Sequence, residues 1–225
     1  MATRFPFEIN EWYHCYNRGV DKRKVFLSLA DRKRFQALLY VCNGTKNIRL
    51  AELYDTSLEY VLTSDRIDRG LPLVEIGAYS LMPNHLHFVF REIRGGGTAL
   101  FMQKVFTGYT MYFNRKHERT GALFAGSFKS KHLDNDRYLK QCVAYVLLNP
   151  VELFDPRWKE GRALLSSLKK RLAEYPFSSL VDFIGVKRPE NKIISTALDE
   201  LYERKPTFAD LLEEAQEYYA QRPKV

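Results

Sequence analysis

His85 and His87 flank a single apolar residue, Leu86. In an extended segment the two-residue period sends both imidazoles to one face and Leu86 to the core. Two imidazoles side by side begin a divalent-metal site, which needs further ligands because such an ion accepts ~4 to 6 donors. The plainer account is a pair of strand histidines facing solvent or a neighbouring acid. Tyr145 and Asn149 stand four residues apart, so on a helix they share a face one turn apart. A phenolate is a competent nucleophile at phosphorus and a good leaving group in the reverse step, which suits chemistry that must conserve a phosphodiester bond for rejoining. The amide oxygen of Asn149 could join the two histidines on a metal. Here too a simpler account exists: Tyr145 as a core aromatic with its hydroxyl at the rim, and Asn149 as a helix C-cap before Pro150.

The elements that must hold these residues follow from patterning. Trp12 to Asn17 alternates as a strand does, and Arg18-Gly19-Val20-Asp21 ends it with turn chemistry. Ser28 and Asp31 form a possible capping box, after which Leu29, Phe35, Leu38, Leu39 and Cys42 recur at helical spacing up to Asn43-Gly44. Lys46 to Pro72 is polar and reads as an insertion with one short helix. Val74 to Met82 and Leu86 to Ile93 are apolar, β-rich runs separated by Pro83-Asn84, an antiparallel pair. Thr98 to His117 is an amphipathic helix with Phe101, Val105, Tyr109 and Tyr112 on one face. Leu123 to Leu133 reads as a strand, and a helix follows over Asn135 to Leu148, limited by Pro150. The order βαββαβ, then a further helix, predicts an α+β fold of the ferredoxin-like kind, an antiparallel sheet with helices on one face. The catalytic unit is expected over residues 1–152, with the insertion at about 46–72, and a C-terminal helical extension over 153–225. Tyr175-Pro176-Phe177-Ser178-Ser179 lies in that extension.

The chain of 225 residues carries 35 Lys and Arg against 27 Asp and Glu, a formal charge of +8, the balance of a protein that meets phosphates. Asn114-Arg115-Lys116-His117-Glu118-Arg119 and Phe128-Lys129-Ser130-Lys131-His132 interleave basic and aromatic residues, which can neutralise phosphates and stack unpaired bases. A solvated loop on a basic protein would look the same. The three cysteines, Cys15, Cys42 and Cys142, have neither disulfide-framework nor zinc-site spacing and fit buried thiols in a reducing cytoplasm. No apolar run approaches the ~20 residues that span a bilayer, and no signal core opens the chain.

Met82-Pro83-Asn84-His85-Leu86-His87-Phe88, Arg115-Lys116-His117 with Gly121-Ala122-Leu123-Phe124, and Tyr145-Val146-Leu147-Leu148-Asn149-Pro150-Val151 together resemble the HUH-type Y1 transposase family. The branch they are most similar to is the REP-associated tyrosine transposases. Tyr13-His14-Cys15-Tyr16-Asn17-Arg18-Gly19 resembles that branch's first strand, and the likeness runs from about Trp12 to Glu152. Tyr175 to Ser179 resembles its post-catalytic motif, which packs the tail on the core.

The resemblance implies a single-strand DNA endonuclease and strand transferase acting at hairpin-forming repeats. Tyr145 would attack DNA to leave a 5′-phosphotyrosyl link and a free 3′-OH. His85 and His87 would hold Mg²⁺ or Mn²⁺, with Asn149 as third ligand where many relatives have Gln. Arg18, Arg115, Lys116, Arg119, Lys129 and Lys131 are the residues expected at the DNA, by charge and placement. His14, His117 and His132 are not expected to be ligands. The protein is expected to be a monomer or homodimer, with its tyrosine and histidines meeting within one subunit or across two. Three rivals remain: a non-catalytic hairpin-binding protein with a vestigial metal site, a replication initiator or relaxase, and an RNA-binding module. The absence of a helicase motif argues against the second, and the absence of an RNP-like motif against the third.

Overall fold

The computed structural model describes residues 6–156, 158 and 165–220. Four strands, β1 (Trp12–Arg18), β2 (Val74–Leu81), β3 (His85–Glu92) and β4 (Lys129–His132), form one sheet in the order β2-β3-β1-β4, with every neighbouring pair antiparallel. Helix α1 (Leu29–Cys42) connects β1 to β2 across the sheet and α3 (Gly97–Lys116) connects β3 to β4, which is the ferredoxin-like plan. Ser28 caps α1 through the expected box with Asp31. The insertion contains the short helix α2 (Leu58–Thr63).

Alternation along the strands sorts side chains to two faces. Tyr13, Cys15, Leu86, Phe88 and Phe90 point to α1 and α3, where they meet Phe35, Leu39, Phe101 and Tyr109 in the larger core. Each fully buried Phe there contributes roughly 1.5–3 kcal/mol, so this half anchors the sheet. Ala78 and Val89 point the other way, into a second core built on α4 (Asp136–Leu148).

Helix α4 therefore departs from the expectation of helices on one face. Gln141 to Leu148 is a continuous buried run, and only a helix covered on both sides can bury it. One side lies on β2 and β3, whose small Ala78 and Ser80 allow close approach, and the other is covered by α7 (Phe208–Ala220) through Leu211, Leu212, Ala215 and Tyr218.

The expected strand over Leu123–Leu133 is also shorter, with only Lys129–His132 paired in the ladder. Within that run Gly126 adopts a φ of 78°, which breaks the extended backbone, and Phe124 keeps a single bridge to Gly19. The C-terminal segment packs on the core as a strap. Leu81 N–H donates to Phe177 O, Ser179 N–H to Tyr79 O, and Tyr175 O–H to Leu81 O, so Tyr175 to Ser179 covers the outer edge of β2. Two further helices belong to this extension, α5 (Leu165–Ala173) and α6 (Leu180–Phe183). Among the described residues, no helix is long and apolar enough to cross a membrane.

Candidate active site

Strand register assembles the site. Arg18 pairs with His85, Tyr16 with His87, His87 with Ser80, and Tyr16 with Lys129 on its other side. Directly opposed residues of an antiparallel pair share a face, so Lys129, Tyr16, His87 and Ser80 form a row across the sheet beneath α4. In the next row Lys131, His14, Val89 and Ala78 do the same. The expectation for His85-Leu86-His87 holds: Leu86 is in the α1/α3 core and both imidazoles face α4.

The turn before His85 is fixed by its neighbours. Asn84 O accepts from Gly19 N–H and Pro83 O from Val25 N–H, while the Asn84 amide donates to Lys22 O at 3.3 Å. That donation leaves Asn84 Oδ1 facing His85 Nδ1 at 2.8 Å. An amide oxygen at that distance accepts a proton from Nδ1, and in the neutral ring Nε2 then carries the lone pair. Nε2 in turn lies 3.2 Å from Asn149 Oδ1.

The separation of these two atoms fits a shared cation. Two donors each ~2.1 Å from one ion lie about 3 Å apart at octahedral angles. His87 Nε2 lies on the same face, and His85 and His87 have ring centroids 5.1 Å apart. Among the described residues no three His, Cys, Asp or Glu side chains cluster as a metal site. An ion here would therefore rest on two imidazoles and an amide oxygen, completed by water or phosphate oxygens.

Helix α4 delivers Tyr145 and Asn149 together. Asn135 caps it by accepting from Tyr138 N–H at 2.9 Å, and the helix ends at Asn149, where Pro150 opens a 3-10 turn. One turn apart, Tyr145 O–H reaches His87 Nε2 at 3.2 Å while Asn149 reaches His85. The structure thus brings Tyr145, His85, His87 and Asn149 to one place within a single chain.

Three further residues belong to the site that sequence patterning did not assign. His14 Nε2 contacts His87 Nδ1 at 2.9 Å, and His14 Nδ1 contacts Tyr218 Oη at 3.2 Å. Tyr218 stacks on Tyr145 with centroids 4.6 Å apart, and Tyr219 meets the same ring edge-on at 5.0 Å. Tyr145 is consequently only 3% exposed. The alternation of His14 and Tyr16 in the first strand was the available signal for His14; nothing in the sequence ties Tyr218 to Tyr145.

The six basic residues divide. Arg18, Lys129 and Lys131 are exposed and, by register, flank the histidine rows, with Lys131 over the ring of Tyr138. Arg115, Lys116 and Arg119 lie at and beyond the end of α3, away from those rows. Arg115 is exposed; Arg119 donates to Asn114 Oδ1 and Ala122 O. Lys116 donates to Asp31, Ser28 and Tyr112. Burial pushes the Asp31 carboxyl up, but the hydrogen bonds from Lys116 and Leu27 N–H outweigh it and hold the group below its ordinary value.

No protein-family model and no curated protein matches the chain. Among solved structures, it is similar to that of a REP-associated tyrosine transposase bound to a REP hairpin, at 14% identity and a TM-score of 0.50, over 84% of this chain and 90% of that one. The chain has the fold of that transposase.

Proposed function

We propose that the protein is a metal-dependent single-strand DNA nicking and joining enzyme, a transposase-type nuclease of the HUH class acting at hairpin-forming DNA. The observation that supports this most is the approach of Tyr145 Oη to His87 Nε2 at 3.2 Å beside the opposed donors of His85 and Asn149. The fold shared with a hairpin-bound tyrosine transposase supports the substrate class.

A divalent cation held by His85, His87 and Asn149 would polarise the scissile phosphate and stabilise its developing charge. The chain's own groups do the rest. Tyr145 Oη attacks phosphorus as its proton passes to solvent water, since the single lone pair of His87 would be committed to the cation. The P–O3′ bond breaks, and the departing 3′ oxygen takes up a proton to become a 3′-OH. The product is a 5′-phosphotyrosine, and rejoining is the reverse attack by a 3′-OH. Arg18, Lys129 and Lys131, beside the histidine rows, would carry the single strand, and Arg115 with Arg119 would meet a hairpin stem.

Incubation with labelled DNA hairpins bearing a single-stranded flank, in Mn²⁺ or Mg²⁺, tests this on a denaturing gel. A metal-dependent covalent adduct absent from Tyr145→Phe is expected; cleavage persisting in that variant would sink the assignment. One observation favours a second reading, a hairpin-binding protein without chemistry: Tyr145 is covered by Tyr218 and Tyr219. Tight hairpin binding with no adduct under either metal is its signature.

A further inference from the structure

Between α7 and Tyr145 runs an unbroken series of polar contacts: Tyr218 Oη to His14 Nδ1 at 3.2 Å, His14 Nε2 to His87 Nδ1 at 2.9 Å, and His87 Nε2 to Tyr145 Oη at 3.2 Å. His14 is 1% exposed and the two imidazoles lie nearly parallel, 24° apart, so both rings are held by packing as well as by their contact. We propose that His14 is a positioning residue for His87. By accepting the Nδ1 proton of His87 it fixes that ring's tautomer and directs the Nε2 lone pair toward the cation.

The inference rests on the metal role proposed for His87, and its physical content is a choice between two proton arrangements. Two ring nitrogens 2.9 Å apart share one proton. If His14 donated it, His87 would carry its own proton on Nε2 and could neither ligate a cation nor accept from Tyr145. If His87 donates it, Nε2 is a lone pair, His14 carries its proton on Nδ1, and Tyr218 oxygen receives that proton's hydrogen bond. Each arrangement makes one of the two phenols a donor and the other an acceptor, so the ends of the series balance and the cation decides: only the second leaves a lone pair on His87 Nε2. His85 is treated likewise by another partner: Asn84 Oδ1 accepts from its Nδ1 at 2.8 Å. Both histidines of the pair thus have an acceptor at Nδ1, the second contact that orients a metal-binding imidazole and raises its basicity.

The test compares the full-length wild type with His14→Leu, which removes the acceptor, and His14→Gln, whose amide oxygen can occupy the place of Nε2. Mn²⁺ binding is followed by electron paramagnetic resonance titration without DNA, with hairpin affinity measured separately in chelator. Mn²⁺ affinity is expected to fall roughly 10- to 100-fold in His14→Leu and to recover most of that loss in His14→Gln, with hairpin affinity unchanged in both. Equal Mn²⁺ affinity in the wild type and His14→Leu would overturn the proposal. Should His14→Leu fail to fold, ¹⁵N NMR of the metal-free wild type decides instead: a proton on Nδ1 of His87 is expected, and a proton on Nε2 overturns the idea. The two proposals fail separately. A wild type that binds no Mn²⁺ sinks the metal site while the His87 tautomer still decides the role of His14, and an absent covalent adduct leaves both readouts intact.

Discussion

Tyr218 lies flat on Tyr145, with ring centroids 4.6 Å apart and planes 21° from parallel. Tyr145 is 3% exposed beneath that stack, so if it is the nucleophile proposed above, DNA is expected to reach it when α7 moves aside. Glu217 ties α7 to α4 by accepting from Gln141 at 2.6 Å and from Arg137 at 3.2 Å. Glu217→Ala removes both contacts without touching Tyr145 or the histidines. The open population should rise by about a few-fold, seen as faster adduct formation on labelled hairpins together with faster limited proteolysis within α7. Faster proteolysis with an unchanged adduct rate would show that α7 does not gate the site.

This relationship also marks where sequence patterning stops. His85, Leu86 and His87 were legible because a strand has a period of two, and Tyr145 with Asn149 because a helix brings residues four apart onto one face. The placement of His14 beside His87 depends on the register between β1 and β3, which no local pattern encodes. The stack of Tyr218 on Tyr145 depends on how α7 docks, across more than 70 residues of intervening chain. Helix α4 misled for a related reason: an apolar helix announces that it is covered, but not which face of the sheet covers it. The strand expected from Leu123 was cut short by Gly126, whose left-handed backbone became evident only in the fold.

Asn149 offers a prediction with two signs. It is 1% exposed, with Oδ1 3.2 Å from His85 Nε2. At pH 8, where an ordinary imidazole is neutral, Asn149→Asp buries a carboxylate beside a lone pair, so the metal-free variant should melt below the wild type. Saturating Mn²⁺ supplies the missing charge, and the variant should gain more in Tm from the metal than the wild type does. Thermal denaturation with and without Mn²⁺ checks both. A variant whose Tm ignores Mn²⁺ would place the cation elsewhere.

Asp31 governs acid stability. Its carboxyl titrates below the ordinary value in the folded protein, through Lys116, Leu27 N–H and Ser28 acting against burial. Its contribution is therefore complete above the unfolded carboxylate pKa, about 4, and is lost as pH falls through the lower folded value. Asp31→Asn should melt lower than the wild type at neutral pH, and the gap should narrow on acidification below about pH 4. A gap that stays constant down to pH 2 would mean that the Lys116 contact contributes nothing.

The same ion pair separates the basic residues by what they do. Lys116 holds Asp31 and the N-terminus of α1, whereas Lys129 and Lys131 are exposed on β4 in register with Tyr16 and His14. If the DNA strand crosses the histidine rows at that edge, each lysine that neutralises a phosphate releases a counterion. Lys129→Ala and Lys131→Ala should then each reduce the slope of log affinity against log salt by roughly 0.7–0.9, with little change in Tm. Lys116→Ala should do the reverse, lowering Tm while leaving the salt slope of hairpin binding as it was. Exposed lysines also shield an edge strand from pairing with other chains, and that role alone would leave both slopes unchanged and make the double variant prone to self-association. Salt titration of binding beside light scattering distinguishes the two, and unchanged slopes would move the DNA path off β4.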